Sequence, residues 1–423
     1  MTALRIDAGL AERLFEELRA RTADPPGVTR AAYGEGEEIG HAIVRREAAV
    51  LGLDSAVDAA GNLYLTLAGR DPTLPGWIVG SHIDSVPHGG NFDGAAGVFA
   101  GLCAVEALIT AGIRPRRAVT VMVTRAEEST WFPVSYPGSR AAFGRLPPET
   151  LELRRADTGR TLREHMAALG LRPEAVAAGE AFLTPERIHG FVELHIEQGP
   201  VLEAVGAPLG LVTGIAGSFR YRKARCLGRT GHSGAVPRGH RQDAVVALAE
   251  LVVGLEAVWD ALEAEGEAAT ITFGEVATDP ALHAFSKVPG EVAFCLDVRS
   301  VSEACLDRIR DRLTALAGEI EARRGVRFDF GARTGSTPAR LDPGLCGRLA
   351  AVADAASIAH LAMPSGAGHD TAVFAAAGVP AAMIFVRNQN GSHNPDEAMR
   401  IEDFAAGAEV LARLLADDST RTG

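Results

Sequence analysis

Apolar positions recur along the chain at two periods, and the alternation between them lays out the elements. Over residues 7–21, Leu10, Leu14, Phe15 and Leu18 keep helical spacing, with Asp7 placed to cap the helix. Pro25 and Pro26 close it, and Ile39, Ala42, Ile43 and Ala49 mark a second helix over 36–51. Residues 55–67 read as a hairpin turning at Gly61-Asn62. A buried apolar run from Ile78 delivers His82 and Asp84 to its end, where a spacing of two puts both side chains on one strand face. Gly89, Gly90 and Gly94 mark a tight loop, and Asp93 stands at the mouth of a helix of small residues (Ala95, Ala96, Gly97, Ala100, Gly101) suited to close packing on a sheet. Residues 118–124 form a second buried strand that runs into Glu127 and Glu128. A charged helical excursion over 147–180 precedes a third strand, 191–202, whose alternation aligns Glu193, His195 and Glu197 on one face.

The texture changes near Gly214. A strand over 218–228, a long helix over 239–266, strands over 269–276 and 291–299, a helix over 301–324 and a strand over 326–330 follow in order. This order predicts an inserted α+β domain, a four-stranded antiparallel sheet with two helices on one face. Helices over 342–355 and 371–377 and an apolar strand over 381–386 then return to the first texture, and the last strand leads into a loop carrying His393. The expected organisation is an α/β catalytic domain with a mixed central sheet over 1–213 and 332–423, interrupted by the inserted domain over 214–331. No repeat or low-complexity segment is visible.

Composition narrows the function classes. The 423 residues are 47% hydrophobic but only 5% aromatic, so the core is Ala, Val and Leu, and 47 glycines imply many tight loops. A formal charge of −12 disfavours nucleic acid and anionic membranes as partners. The five cysteines are scattered without CxxC pairs, so neither a disulfide framework nor a thiolate zinc site is signalled. With no apolar signal core at the N-terminus and no membrane-length apolar stretch, a cytoplasmic protein is expected.

The chemistry lies at strand ends, where open α/β sheets collect function. His82, Asp93, Glu128, His195 and His393 stand there, with Asp84 and Glu127 beside them. Taken alone, His82, Asp84 and Asp93 fit equally a satisfied histidine and an N-capping aspartate. Glu127 and Glu128 fit solvated surface charge, though Trp131-Phe132 nearby favours a lined cleft. Together, three imidazoles and two carboxylates without a thiolate suit two divalent ions, zinc or manganese, with positions left open for water.

The motifs GSHIDSVPHGGNFDGAAGV, AEESTWFPVSYPGSRAAFG, ELHIEQGPVLE, VTGIAG, GRTGHSGAVP, VPGEVAFCLDVRS, MPSGAGHDTAVF and GSHNPDE run in order from residue 80 to 397. In them the chain resembles the zinc-dependent amidase, hydantoinase and carbamoylase family, within the clan of dinuclear metallo-aminoacylases and peptidases. The resemblance implies an aminopeptidase-like catalytic domain, a lid and dimerisation domain as the insertion, and a homodimer. It implies one metal on His82 and His195, another on Glu128 and His393, and Asp93 bridging them, with Asp84 orienting His82. Glu127 would be the general base for a bridging water and then the acid for the leaving group. His232 would stabilise the oxyanion, and Gln198 and Arg299 would bind substrate, Arg299 by a fork on a carboxylate. An ion pair with Asp297 is the plainer reading of Arg299. The implied activity is hydrolysis of a linear amide or ureido C–N bond, as in an N-carbamoyl amino acid. An N-acyl amino acid hydrolase or dipeptidase is the alternative, and a silent binding relative is disfavoured because no ligand is lost.

Departures from the family pattern bear on substrate. Trp131 replaces a common arginine, Ser286 a common asparagine, and His283 another, so these three are candidate substrate contacts. Lys287 and His88 carry no assigned role, and His369 matches a motif that supports the site.

Overall fold

The apolar runs pair into one mixed sheet in the computed structural model, which describes residues 4–417. The chain divides into two units. The first comprises the residues up to Thr213, Leu341–Met363 and those from His369 onward; the second is Gly214–Arg340 with Pro364–Gly368.

In chain order the first unit holds helices α1 (Ala8–Arg21) and α2 (Glu35–Val50), strands β1 (Asp54–Val57), β2 (Leu63–Leu67) and β3 (Gly76–His82), and helix α3 (Ala95–Thr110). Strands β4 (Val119–Thr124), β5 (Ile188–Ile196) and β6 (Leu209–Ile215) follow, then helices α4 (Pro343–Ala355) and α5 (Asp370–Ala376), strand β7 (Ala381–Val386) and helix α6 (Ile401–Asp417). The sheet order is β6-β7-β5-β3-β4-β2-β1. Strands β7, β5, β3 and β4 run parallel, while β6, β2 and β1 are added antiparallel. Register decides what this arrangement can do. His82 lies opposite Thr124, and His195 opposite Phe385, so the carboxyl ends of β3, β4, β5 and β7 share one edge.

Local chemistry explains the elements. Asp7 caps α1 by accepting from Leu10 N at 3.1 Å. In the β1–β2 turn Asp58 accepts from Ala60 N, Asn62 N and the Asn62 amide at 2.7–3.0 Å. Helix α3 is buried on nearly every face, with Phe15 of α1 and Phe404 of α6 in ring contact beside Phe99. Close approach sets its small residues: a methyl at Gly97 would fall on the Leu194 carbonyl and the Ser81 side chain.

Two expectations are corrected here. The third strand ends at Ile196, not Leu202, so Glu197 is off the strand and caps the turn Val201–Val205, accepting from Val201 N and Leu202 N at 2.7 and 2.8 Å. Asp84 likewise lies past the end of β3, in a loop, so strand periodicity does not place it beside His82. Strands β6 and His360–Ser365 and helix α6 are elements the pattern did not predict.

The second unit has its own core. Antiparallel strands run in the order Ala269–Thr272, Glu291–Ser300, Gly217–Leu227, Arg327–Asp329, with Val276–Ala277 and Arg333–Ser336 added. Val292, Phe294, Leu296 and Val298 pack with Leu248, Leu251 and Leu255 of helix Ala244–Ala264 and Ile309 and Leu313 of helix Glu303–Arg324. The unit extends to Arg340 rather than residue 331, because Arg333–Ser336 pairs with Ser218–Tyr221. No helix among the described residues is long and apolar enough to cross a membrane.

Gly97→Ala tests the helix–sheet contact. It should lower stability by roughly 1–3 kcal/mol through overpacking, read from urea unfolding; an unchanged midpoint contradicts the close approach.

Candidate metal centre

Strand β3 ends on His82, and β5 carries His195 just before its end. Asp93 precedes α3, Glu128 follows β4, and His393 sits at φ 60° in the loop after β7. These five converge in two groups that share Asp93. Asp93 Oδ1 is 3.2 Å from His195 Nε2 and 3.5 Å from His82 Nε2, and the two nitrogens are 3.4 Å apart. Asp93 Oδ2 is 3.5 Å from His393 Nε2, which is 3.2 Å from Glu128 Oε1. One carboxylate therefore offers an oxygen to each group.

Hydrogen bonds at the far ring nitrogens fix which lone pairs face inward. His195 Nδ1 lies 2.9 Å from the Ile196 carbonyl, which only accepts, so Nδ1 carries the proton. His195 Nε2 correspondingly accepts from Gly94 N at 3.2 Å. His82 Nδ1 is 3.1 Å from the Asp84 carbonyl and 3.3 Å from its Oδ1. Two imidazole Nε2 atoms and a carboxylate oxygen thus crowd together in a buried pocket, an arrangement that a proton or a cation among them relieves. Imidazole and carboxylate donors without thiolate, the outer imidazole nitrogens held by carbonyl or carboxylate, fit zinc or manganese. Gly94, at φ 65°, permits the approach, since a methyl there would fall on the His82 ring.

A third group, Glu193, His195 and His369, is close enough to hold an ion. Glu193 is already satisfied by Ser81 Oγ at 2.6 Å and by Thr371 N and Oγ1 at 3.0 and 2.6 Å. Its role is to tie β3 and α5 to β5. His369 packs edge-on against His195, with centroids 4.6 Å apart, and burial depresses its proton affinity.

Electrostatics are extreme. Burial pushes the Glu127 carboxyl well above its usual range, with Glu128, Asp370 and Asp84 adding to the rise and His82 opposing it. Burial opposes charge on His82 and His195, but the carboxylates around them outweigh it and raise both. The bond to Glu128 raises His393 to about 9. Asp93 is held well below the usual range: burial opposes ionisation, and His195 and His82 overcome it.

The surroundings position these groups. Asp84 accepts from Glu127 N and Glu128 N, each at 3.1 Å, so one buried carboxylate orients His82, the candidate base and a candidate ligand. Glu397 accepts from Phe92 N at 2.8 Å and Asp93 N at 3.2 Å, and the single proton of Ser392 Oγ is shared between Glu397 Oε2 at 2.6 Å and Asp93 Oδ2 at 2.5 Å. Gln198, at φ 65°, donates its amide to Asp93 Oδ2 at 2.8 Å, while its Oε1 is buried without a donor. Asp370, raised to about 7 by burial, takes bonds from Ser139 and Thr124. Sequence reasoning did not single out Glu397, Ser392 or Asp370 individually, though each stands beside a recognised histidine or within its motif.

Other sequence candidates lie elsewhere. Trp131 is 5% exposed, belongs to the apolar cluster that holds Tyr33 and Phe132, and bonds through Nε1 to the Ser85 carbonyl at 2.7 Å. It braces the loop next to Asp84. His88 is half-exposed, with Nδ1 3.1 Å from the Asp24 carbonyl. In the second unit His232 pairs with Lys287, and its Nδ1 accepts from Gly234 N and Ala235 N at 3.1 and 3.2 Å, which leaves Nε2 as the donor. The exposed Ser286 accepts on its carbonyl from Ser233 N at 2.9 Å; His283 bonds Thr278 at 2.7 Å, and Lys287 the Leu282 carbonyl at 3.0 Å. Arg299 makes the plainer ion pair, with Nη2 2.9 Å from Asp297, and also donates to the Gly366 carbonyl at 3.1 Å.

The chain matches the family model described as peptidase family M20/M25/M40 over residues 78–417. It is 33% identical to an N-carbamoyl-L-amino-acid amidohydrolase of Paenarthrobacter aurescens, over 98% of this chain and 99% of that protein. It is 34% identical to the allantoate amidohydrolase of Escherichia coli, over 93% of each. Among solved structures it is similar to an amidase of the hydantoinase/carbamoylase family from Burkholderia multivorans, with TM-score 0.89, 28% identity and coverage of 99% of this chain and 100% of that one.

The raised imidazoles make metal uptake proton-coupled. Below about 9 His393 holds a proton that a cation must displace, so apparent zinc or manganese affinity should rise with pH towards that value. Calorimetry in buffers of different ionisation heat should report net proton release at pH 7; uptake without release contradicts the ligand set.

Proposed function

The chain belongs to peptidase family M20/M25/M40, and on that premise we propose a metal-dependent amidohydrolase that cleaves a linear amide or ureido C–N bond of a small acid. An N-carbamoyl amino acid or a related ureido acid is the substrate class, supported by the names of the relatives. The observation that carries the reading is the Asp93 carboxylate, with one oxygen turned to His82 and His195 and the other to His393 and, through it, Glu128.

His82, His195 and Asp93 would hold one divalent ion and Asp93, Glu128 and His393 a second, zinc or manganese, which would supply polarisation of the scissile carbonyl and acidification of water. Glu127, 3.9 Å from His82 Nε2, takes a proton from the attacking water as the O–C bond forms. It returns that proton to the nitrogen as the C–N bond breaks. Its raised proton affinity suits both halves of the transfer. His232 donates Nε2–H to the developing oxyanion, and the two backbone bonds on Nδ1 hold that tautomer. The unoccupied hydrogens of the Arg299 guanidinium receive the substrate carboxylate, with Asp297 holding the fork in place. Gln198 Oε1, a buried acceptor without a donor, is suited to a substrate N–H. Ser286 and His283 are retained as substrate contacts of the second unit. A carbamoyl substrate and one water yield the amine, carbon dioxide and ammonia.

The second unit pairs with its twin in a homodimer. Its exposed Val245, Val246 and Val253 and its terminal strand Ala269–Thr272 support this; a monomer by light scattering contradicts it. The five cysteines are free thiols, in keeping with a cytoplasmic setting.

Ammonia release across N-carbamoyl amino acids, allantoate and ureidoglycolate, with N-acyl amino acids beside them for amine release, tests the reaction class. Ammonia from a ureido acid is expected; amine from acyl substrates alone moves the protein to the acylase reading. Glu127→Gln should keep the metals and abolish turnover, and undiminished activity removes the proposed base. His232→Ala should lower kcat by roughly two orders of magnitude. An effect confined to KM makes His232 a binding group instead.

A further inference from the structure

We propose that Arg30 is a positioning residue for the metal centre, clamping the loop between β3 and α3 so that Asp84 and Asp93 stay in register with His82. The inference rests on the reading of that centre as a metal site. Arg30 is fully buried, at 0% exposure, in a segment that carries no ligand. Its Nε donates to the Ile83 carbonyl at 2.5 Å, and its two terminal nitrogens reach Asn91 Oδ1 and the Asp93 carbonyl at 3.5 Å each. One side chain thus touches the loop next to Asp84 and again at Asp93.

The neighbouring backbone completes the clamp. Arg30 N donates to Ser85 Oγ at 2.9 Å, and the Arg30 carbonyl accepts from Ser85 N at 3.0 Å. Val28 and Gly89 exchange backbone bonds at 3.0 and 2.9 Å, and Thr29 Oγ1 accepts from His88 N at 2.9 Å. Residues 28–30 therefore lace the whole loop, and only the guanidinium reaches its far end. Among the described residues no carboxylate oxygen lies within ion-pairing distance of Arg30, although its charge is felt by Glu397, Asp93, Asp84 and Glu128. A buried guanidinium without a carboxylate in contact is costly, and the oxygens of Ile83, Asn91 and Asp93 are what hold it. Its five donors match carbonyls in a fixed fork, which a lysine would reproduce only in part.

The test compares wild type, Arg30→Lys and Arg30→Gln by manganese affinity from chelator competition, by kcat and KM, and by the thermal midpoint of metal-stripped protein. Arg30→Gln should weaken manganese binding by roughly tenfold or more and lower kcat, with KM within about twofold. Arg30→Lys should fall between, and the metal-stripped midpoint should stay near wild type. Unchanged affinity and kcat overturn the proposal, as do losses that simply follow a fall in that midpoint. Should Arg30→Gln not fold, Arg30→Lys and Ser85→Ala, which removes the hydroxyl receiving Arg30 N–H, carry the same comparison. Wild-type protein that binds no divalent ion removes the metal reading itself, a separate outcome.

Discussion

Two imidazole Nε2 atoms and a carboxylate oxygen are held within 3.5 Å of one another at the buried end of a parallel sheet, and that enforced crowding governs the molecule around it. Such a cluster is tolerated only around positive charge. Parallel pairing of β3 with β4 and β5 puts the strand ends on one edge, and the glycine at 94 lets the loop pass against the His82 ring. Asp93 is then the one group that both halves of the site share. Its second oxygen faces the other candidate ligand group, in which Glu128 and His393 come to it from different loops.

The carboxylates that are not ligands are committed to other bonds. Asp84 takes two backbone N–H groups, Glu397 takes two more and a hydroxyl, and Glu193 and Asp370 take hydroxyls from neighbouring elements. Each of these carboxylates therefore locks a loop, while Asp93, itself held by Gln198 and Ser392 at Oδ2, turns its oxygens to the histidines of the two groups. Glu127 is the exception that matters: it is largely buried, its proton affinity is raised, and it stands near His82 without belonging to either ligand group. A group so placed is free to move a proton.

Much of this was legible in the sequence because it follows from period and position. Strands recognised by apolar runs end where their polar residues begin, so His82, Glu128 and His195 could be placed at strand ends without knowing the pairing. Alternation failed where a strand stopped early: Glu197 belongs to the next turn, and Asp84 acts from a loop although its spacing from His82 suggests a shared face. The burial of Trp131 was not legible because a side chain's exposure is a tertiary property, set here by the cluster with Tyr33 and Phe132 and the bond to the Ser85 carbonyl. Arg30 and Glu397 were invisible as site residues for the same reason. Most of their contacts are to atoms far away in the chain, which no local pattern encodes.

The central claim is that Asp93 bridges two cations, and anomalous diffraction from manganese-loaded crystals tests it most directly. The account predicts two peaks, one on each side of Asp93, the first contacted by His82 and His195 and the second by Glu128 and His393, about 4 Å apart or slightly less. A single peak, or a peak among Glu193, His195 and His369, would contradict it.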